Sequence, residues 1–299
     1  MINLADSFWP PEWQQAHREQ SQKIIDAFKR TFQEDNPPVL YHYSKTENLQ
    51  SILNSNIIRA SNIKKLNDNL EYDYGFNLAK KLIQEKDYDL DFKKILLAEL
   101  NQYKKNYYQE LYILSFSRDG DNLPLWKIYS DKNFKGYCLG FDYEAIDFDV
   151  ADANKELNKI KAISLCHGNV IYKLEKQKDI LYGLVDEFEK YYLTTKKESD
   201  DDFKKILNSW HWNELVNYFT LFKHPSFRWE EEYRIVYYVD EIKEPYLEVK
   251  LSYNKENGQL PLSEIRVAPK NKNPKAYIKL LFSDHANIDE VKIILSEIP

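Results

Sequence analysis

Seven glycines in 299 residues is the tightest constraint this sequence places on its own fold. Glycine supplies left-handed backbone for tight turns and lets a diphosphate approach main-chain N–H groups closely. A chain this poor in glycine is badly equipped for a dinucleotide crevice or a phosphate-binding loop, and neither GxGxxG nor GxxxxGK[ST] occurs. HExxH and GxSxG are missing too, which removes the signatures of zinc-protease and hydrolase-elbow chemistry.

The hydrophobic period changes repeatedly along the chain. Residues 12–34 place Ile24, Ile25, Phe28 and Phe32 at helical spacing, and Pro37 and Pro38 end that helix. VLYHYS (39–44) reads as a strand, followed by a helix carrying Leu49, Ile52 and Leu53 that Ser44 or Thr46 can cap. IIRAS (57–61) is a second strand. Residues 76–109 are helical in pattern, broken around KDYDLDF, with Phe92, Ile95, Leu96 and Leu100 along one side. LYILSFS (111–117) and GYCLGFD (136–142) are strands, with a short helix at LWKIYS between them, and AISLCHGNVIY (162–172) adds another. Two helices are expected over 175–222. Strands return at 231–239, 246–253, 265–270 and 291–298, with a helix at 275–283. With no repeat and no Gly/Ser linker, residues 1–299 read as one mixed α+β domain with a helical insertion at 175–222.

Acidic residues outnumber basic ones 48 to 42, which argues against a broad duplex nucleic-acid footprint but leaves room for a local basic groove. No apolar run reaches the roughly 18 residues that span a bilayer. The opening MINLADSFWPPEWQQ lacks the basic and apolar regions of a signal peptide, and Cys138 and Cys166 form no CxxC. The expectation is a cytoplasmic protein without a disulfide or zinc framework. Aromatics reach 15%. That suits a pocket for a ring-bearing ligand, and it is also what an A/T-rich genome produces.

Four clusters carry chemistry. In YHYS, strand alternation puts His42 and Ser44 on one face and Tyr41 and Tyr43 on the other. His42 can bind a sugar hydroxyl or tie two strands together. In SNIKKLNDNLE, Asn67, Asp68 and Glu71 can face a ligand or hold a loop open. In SFSRDGDNLPLWKIY, Ser115 and Ser117 share a strand face, Trp126 and Tyr129 fall on one side of a helical turn, and DGDN is a turn. In FRWEEEYRIV, Glu230, Glu232 and Arg234 alternate onto one face if the strand starts this early, opposite Glu231, Tyr233 and Ile235. Such a cluster is a solvated ion-pair face or a carboxylate poised to stabilise positive charge.

In order, YHYS, LNDNLE, SFSRDGDNLPLW, KGYCLGFD and FRWEEEYR resemble the uncharacterised bacterial family DUF2971 over about residues 40–240. More distantly the series looks like ADP-ribosyltransferase folds. That likeness implies a split, curved β core flanked by helices, a histidine on the first strand and a glutamate on a late one. Through it, His42 matches the first-strand histidine and Ser61 matches a second-segment position loosely. Glu230 and Glu232 match the late ExE, with Glu232 the essential member. The resemblance implies NAD as the nucleotide substrate and transfer of ADP-ribose to an unknown acceptor, protein or nucleic acid. The nicotinamide–ribose bond develops oxocarbenium-like charge as it breaks, which a carboxylate at the ribose stabilises. His42 would hold a second ribose hydroxyl, with Ser44 beside it on the same face. Tyr43, Trp126 or Tyr129 would stack on nicotinamide. Ser115 or Ser117 would hold its amide or a phosphate, and Arg118, or Lys64 with Lys65, would neutralise the diphosphate. Arg234 would flank the carboxylate. No resident metal is expected on this reading. Two alternatives stand: a non-enzymatic ligand-sensing or interaction domain, and a phage-defence nuclease holding Mg²⁺ on Asp68, Glu71, Glu230 and Glu232.

Overall fold

The computed structural model describes residues 37–66, 71–106, 110–131, 135–146, 162–195, 218–239, 245–250, 261–270 and 291–298. The helices expected at 12–34 and 275–283, and Asn67 and Asp68, lie outside the described residues. In chain order the elements are β1 (Val39–Ser44), α1 (Thr46–Ser55), β2 (Ile57–Asn62), α2 (Glu71–Glu85), α3 (Leu90–Asn106), β3 (Leu111–Ser117), α4 (Leu123–Tyr129), β4 (Tyr137–Asp142), β5 (Ala162–Asn169), α5 (Leu174–Thr195), β6 (Glu232–Val239), β7 (Tyr246–Lys250), β8 (Leu262–Val267) and β9 (Lys292–Leu295). Short 3₁₀ turns occupy Ile63–Lys65, Tyr143–Ala145 and Pro225–Glu230. The fold is mixed α+β around a central sheet.

Two compact units divide the chain. One comprises Met1–Glu34, Leu66–Gln109 and Ile171–Pro225; the other comprises Asp35–Lys65, Glu110–Val170 and Ser226–Pro299. The stretch 175–222 therefore shares a unit with 66–109. That unit is helical in its described parts, and its apolar stripes follow the sequence pattern: Phe76, Ala79, Leu82 and Ile83 on α2, Phe92, Leu96 and Leu100 on α3, Leu181, Leu184, Val185 and Phe188 on α5 are buried. Glu71 begins α2, and its carboxylate meets Lys223 at 3.3 Å where both side chains are nearly inaccessible. Gln177 donates to the carbonyls of Ile171 and Lys223, and its own oxygen accepts from Tyr74.

The second unit holds the sheet, ordered β5-β6-β3-β1-β4-β8-β9, with β2 pairing β3 and β7 pairing β2. All pairings are antiparallel except β8 with β9. Strand alternation sends Leu40, Leu114, Phe116, Leu139, Phe141, Tyr233, Ile235 and Ile265 to one face, where Leu49, Ile52 and Leu53 of α1 complete the main core. The opposite face is smaller and mixed: Tyr41, Tyr43 and Cys138 pack against Leu125 and Trp126 of α4. Each such apolar side chain buried contributes roughly 1.5–3 kcal/mol, so the larger face supplies most of the adhesion.

Local expectations change in three places. The N-terminus of α1 is capped by neither Ser44 nor Thr46: Lys45 occupies the cap position without a side-chain bond, and Asp131 accepts from the Thr46 N–H at 3.1 Å. The strand expected at 265–270 begins at Leu262 and ends at Val267, which brings Glu264 into the sheet. The strand expected at 231–239 begins at Glu232, because Glu231 has φ 44° and breaks the extended run, so the earlier start that would have taken in Glu230 does not occur.

Candidate functional site

The face beneath α4 carries a polar row that crosses five strands. Register pairs Glu232 with Ser117, Ser117 with Tyr41, Tyr41 with Gly140, and Gly140 with Glu264. Residues paired across a ladder project to the same side. One step along, Arg234 pairs with Ser115, and Tyr43 with Cys138 and then Arg266. The second row is interrupted between β3 and β1. Those two strands share one register pair, Tyr41 with Ser117, whereas β3 and β6 share seven and β1 and β4 share six. Beyond Ser117 the same edge of β3 is taken up by β2, at Ile113 and Tyr112. The sheet thus forks between β1 and β3.

His42 stands at that fork. Its Nδ1 lies 3.4 Å from the Ser115 carbonyl, an acceptor, so Nδ1 is the protonated ring nitrogen in this contact. The ring meets Phe116 edge-on. Burial pulls the imidazole below its ordinary pKa, partly opposed by the bond to Ser115. Because Tyr41 shares a face with Ser117 and Glu232, His42 and Ser44 leave the opposite face of the sheet. The structure therefore brings Glu232, Arg234, Ser115, Ser117, Tyr41 and Tyr43 together and sets His42 and Ser44 across the sheet from them.

Glu232 and Arg234 form a bidentate pair: Nε donates to Oε1 and Nη2 to Oε2, each at 2.8 Å. Arg234 is 2% exposed and Glu232 6% exposed. The alternation expected for Glu232 and Arg234 holds; Glu230 does not join them. It ends the 3₁₀ turn, and the left-handed Glu231 separates it from the strand. Burial lowers the Arg234 guanidinium from its ordinary value, and the two-point carboxylate contact holds it in its charged form.

A hydrogen-bonded lid lies over Tyr43 and Ser117. Tyr43 OH donates to the Asp119 carbonyl and accepts from the Asn122 N–H, both at 2.8 Å. Ser117 Oγ donates to the Glu230 carbonyl and accepts from the Asp119 N–H. Burial pushes the Tyr43 phenol well above its ordinary pKa. DGDN is a turn: Asp121 accepts from Trp126 Nε1, Ser296 Oγ and the Glu297 N–H. Trp126 and Tyr129 are one turn apart in α4, but Trp126 is completely buried against Tyr43 while Tyr129 is 40% exposed. Trp126 is thus closed to stacking on a ligand. Arg118, Lys64 and Lys65 are exposed, and Ser61 pairs with Ile113 on β3 and Tyr246 on β7.

Sequence reasoning missed the second Glu-x-Arg pair. Arg266 Nε donates to Glu264 at 2.7 Å, its Nη2 reaches Tyr41 OH at 3.4 Å, and its guanidinium lies over the Tyr41 ring. The signal was present in SEIRV, whose spacing repeats that of EYR. It also missed a chain in which His167 Nδ1 meets Tyr233 OH at 2.6 Å and Tyr233 OH donates to Tyr143 OH at 3.3 Å. Among the described residues no three His, Cys, Asp or Glu side chains converge as metal ligands would. Glu71 and Glu232 each face a cation, Lys223 and Arg234. No described helix is long and apolar enough to cross a membrane.

Residues 125–235, from within α4 to the middle of β6, match the family described as "Protein of unknown function (DUF2971)". The YHYS, LNDNLE and SFSRDGDN motifs precede the matched stretch. No curated protein and no solved structure matches the chain.

Proposed function

We propose that the sheet unit cleaves the nicotinamide–ribose bond of NAD and passes ADP-ribose to an acceptor. The observation that carries this reading is the fork: β3 and β6 bear Ser115, Ser117 and Glu232 on one face, beside the place where β1 and β3 part after a single register pair. A fork between strands offers a narrow slot lined by side chains, the kind of cleft a glycine-poor chain can supply. Glu232 is the carboxylate for the developing sugar charge, oriented on both oxygens by Arg234. Ser115 is half-buried and adjoins Arg234, so it is the serine available to an amide or phosphate; Ser117 is committed to the Glu230 carbonyl. His42 leaves the other face of the sheet and braces the fork through its contact with the Ser115 carbonyl, so it has no contact with the donor. Transfer balances as departure of neutral nicotinamide with the bonding pair, followed by attack of an acceptor nucleophile at ribose C1′ with loss of its proton.

The test is nicotinamide release from NAD by purified protein, with and without cell lysate. Glu232→Gln removes the charge and keeps the shape, and a loss of at least 100-fold is expected. Turnover untouched by this change, or no turnover and no NAD binding in wild type, would overturn the reading.

A second reading draws on the closure of the same face. Both Glu232 oxygens are bonded to Arg234 and Trp126 is sealed, as they would be if the polar rows were architecture for a ligand-sensing or interaction domain. This reading is favoured if NAD binds without being consumed.

A further inference from the structure

Glu230 sits in a turn with almost no apolar anchor. None of the residues Pro225–Glu230 is buried, although Trp229 rests partly against the small core. The turn is nevertheless fixed at its C-terminal end, where Glu231 takes the left-handed φ of 44° that side chains disfavour. Such a conformation persists only where surrounding bonds over-determine it. Three bonds do so here. Ser117 Oγ donates to the Glu230 carbonyl, the Arg118 N–H donates to the Glu231 carbonyl, and Asn122 Nδ2 donates to the Trp229 carbonyl, each at 2.8 Å. All three reach across from the segment that follows β3.

Of these three donors Asn122 is the one with duties on every side. Its Oδ1 accepts from the Leu125 N–H as the N-cap of α4, its Nδ2 also reaches Asp119 Oδ2 at 3.2 Å, and its backbone N–H donates to Tyr43 OH. A serine or aspartate caps a helix as well as asparagine does, so the cap alone does not require an amide. The amide NH₂ is required by the Trp229 carbonyl and the Asp119 carboxylate, two acceptors that only a donor can bridge.

We propose that Asn122 is a positioning residue: through its Nδ2 bond to Trp229 it sets the turn Pro225–Glu230 that leads into Glu232 at the start of β6. The catalytic consequence rests on the NAD reading, whereas the placement of the turn does not.

Two variants test it, Asn122→Ser, which caps but is too short to reach Trp229, and Asn122→Asp, which caps but replaces the donor by an acceptor. Hydrogen–deuterium exchange is followed on peptides covering 225–231, with α4 and β3 peptides as internal standards. Both variants are expected to raise exchange across 225–231 at least tenfold while α4 and β3 keep their wild-type protection. In nicotinamide release, kcat is expected to fall about tenfold with KM for NAD unchanged, because the turn adjoins the reacting bond without holding the donor. Wild-type protection of 225–231 in both variants would overturn the proposal, as would loosening in the aspartate variant alone, which would report charge repulsion with Asp119. A wild-type protein without NAD turnover would remove the catalytic reading, and the exchange result would still decide the role of Asn122.

Discussion

Glu232 with Arg234 and Glu264 with Arg266 are the same pattern, a glutamate and an arginine two residues apart on one strand face, yet the sheet treats them differently. β6 and β8 hold the same rank, each second from an end of the sheet order, yet the β6 pair is the inner one by burial, bidentate and sealed. On β8 the outer pair has its arginine touching the carboxylate through Nε and keeping 25% of its side chain exposed. The charge response differs accordingly. Burial lowers the Arg234 guanidinium; for Arg266 burial is again the largest single influence, but the bond and charge of Glu264 together with Tyr41 outweigh it and the group is raised. Each pair also faces a glycine on the neighbouring strand, Gly168 opposite Arg234 and Gly140 opposite Glu264. At Gly140 a Cβ would fall 2.6 Å from the Glu264 Cγ. The lesson is that spacing along a strand makes an ion pair, while what covers the arginine sets what breaking it costs.

The largest expected effect breaks the inner pair. Arg234→Met leaves Glu232 buried without its cation and should cost about 3–5 kcal/mol of unfolding free energy in urea. Adding Glu232→Leu should recover most of that loss, since two buried apolar groups need no counter-charge. A single variant within 1 kcal/mol of wild type, on the scale of surface pairs, would show that the inner pair is not sealed.

A smaller effect sharpens the outer pair through Tyr41. Burial, with the nearby Glu264 carboxylate, pushes the Tyr41 phenol up to about 12 from 10.0. The folded protein therefore holds this proton where the unfolded chain has released it. Stability from Tyr41 is fully present below pH 10 and is lost as pH rises towards 12, by roughly 2 kcal/mol. Tyr41→Phe should remove that part of the alkaline decline and leave the neutral-pH slope unchanged. Equal declines in both proteins would mean that burial and the Glu264 carboxylate do not hold the phenol's proton. The smallest effect is expected for Arg266→Met, about 1 kcal/mol or less, because a partly solvated pair is screened and its carboxylate can rehydrate. Raising salt should narrow the gap between this variant and wild type while leaving the Arg234→Met deficit in place.

Much of the sheet was legible because its signals are local. VLYHYS and LYILSFS became β1 and β3 with the expected bounds, and the alternation that puts His42 across from Tyr41 and Tyr43 follows from a two-residue repeat. The helix-breaking KDYDLDF separates α2 from α3 as its composition suggests. The site was legible only in pieces. Glu230 was placed with Glu232 by extending the alternation two residues too far, since nothing in WEEEYR marks Glu231 as the residue that turns left-handed. Trp126 and Tyr129 fit one side of a helix by spacing, but in α4 the boundary between packed and open surface falls between them. Glu264 and Arg266 were passed over because the strand was started at Ile265, one residue after the glutamate.

By itself the sequence determined the elements, their inward faces and the residue types available for chemistry, because helical and strand periods are set by covalent geometry within a few residues. Only the tertiary structure decided that β1 and β3 fork after Tyr41 and Ser117, that His42 faces away from Glu232, and that Arg234 closes on Glu232 out of reach of water. Those outcomes depend on which strands become neighbours, and strand neighbours are chosen by long-range burial and register, which no local repeat encodes.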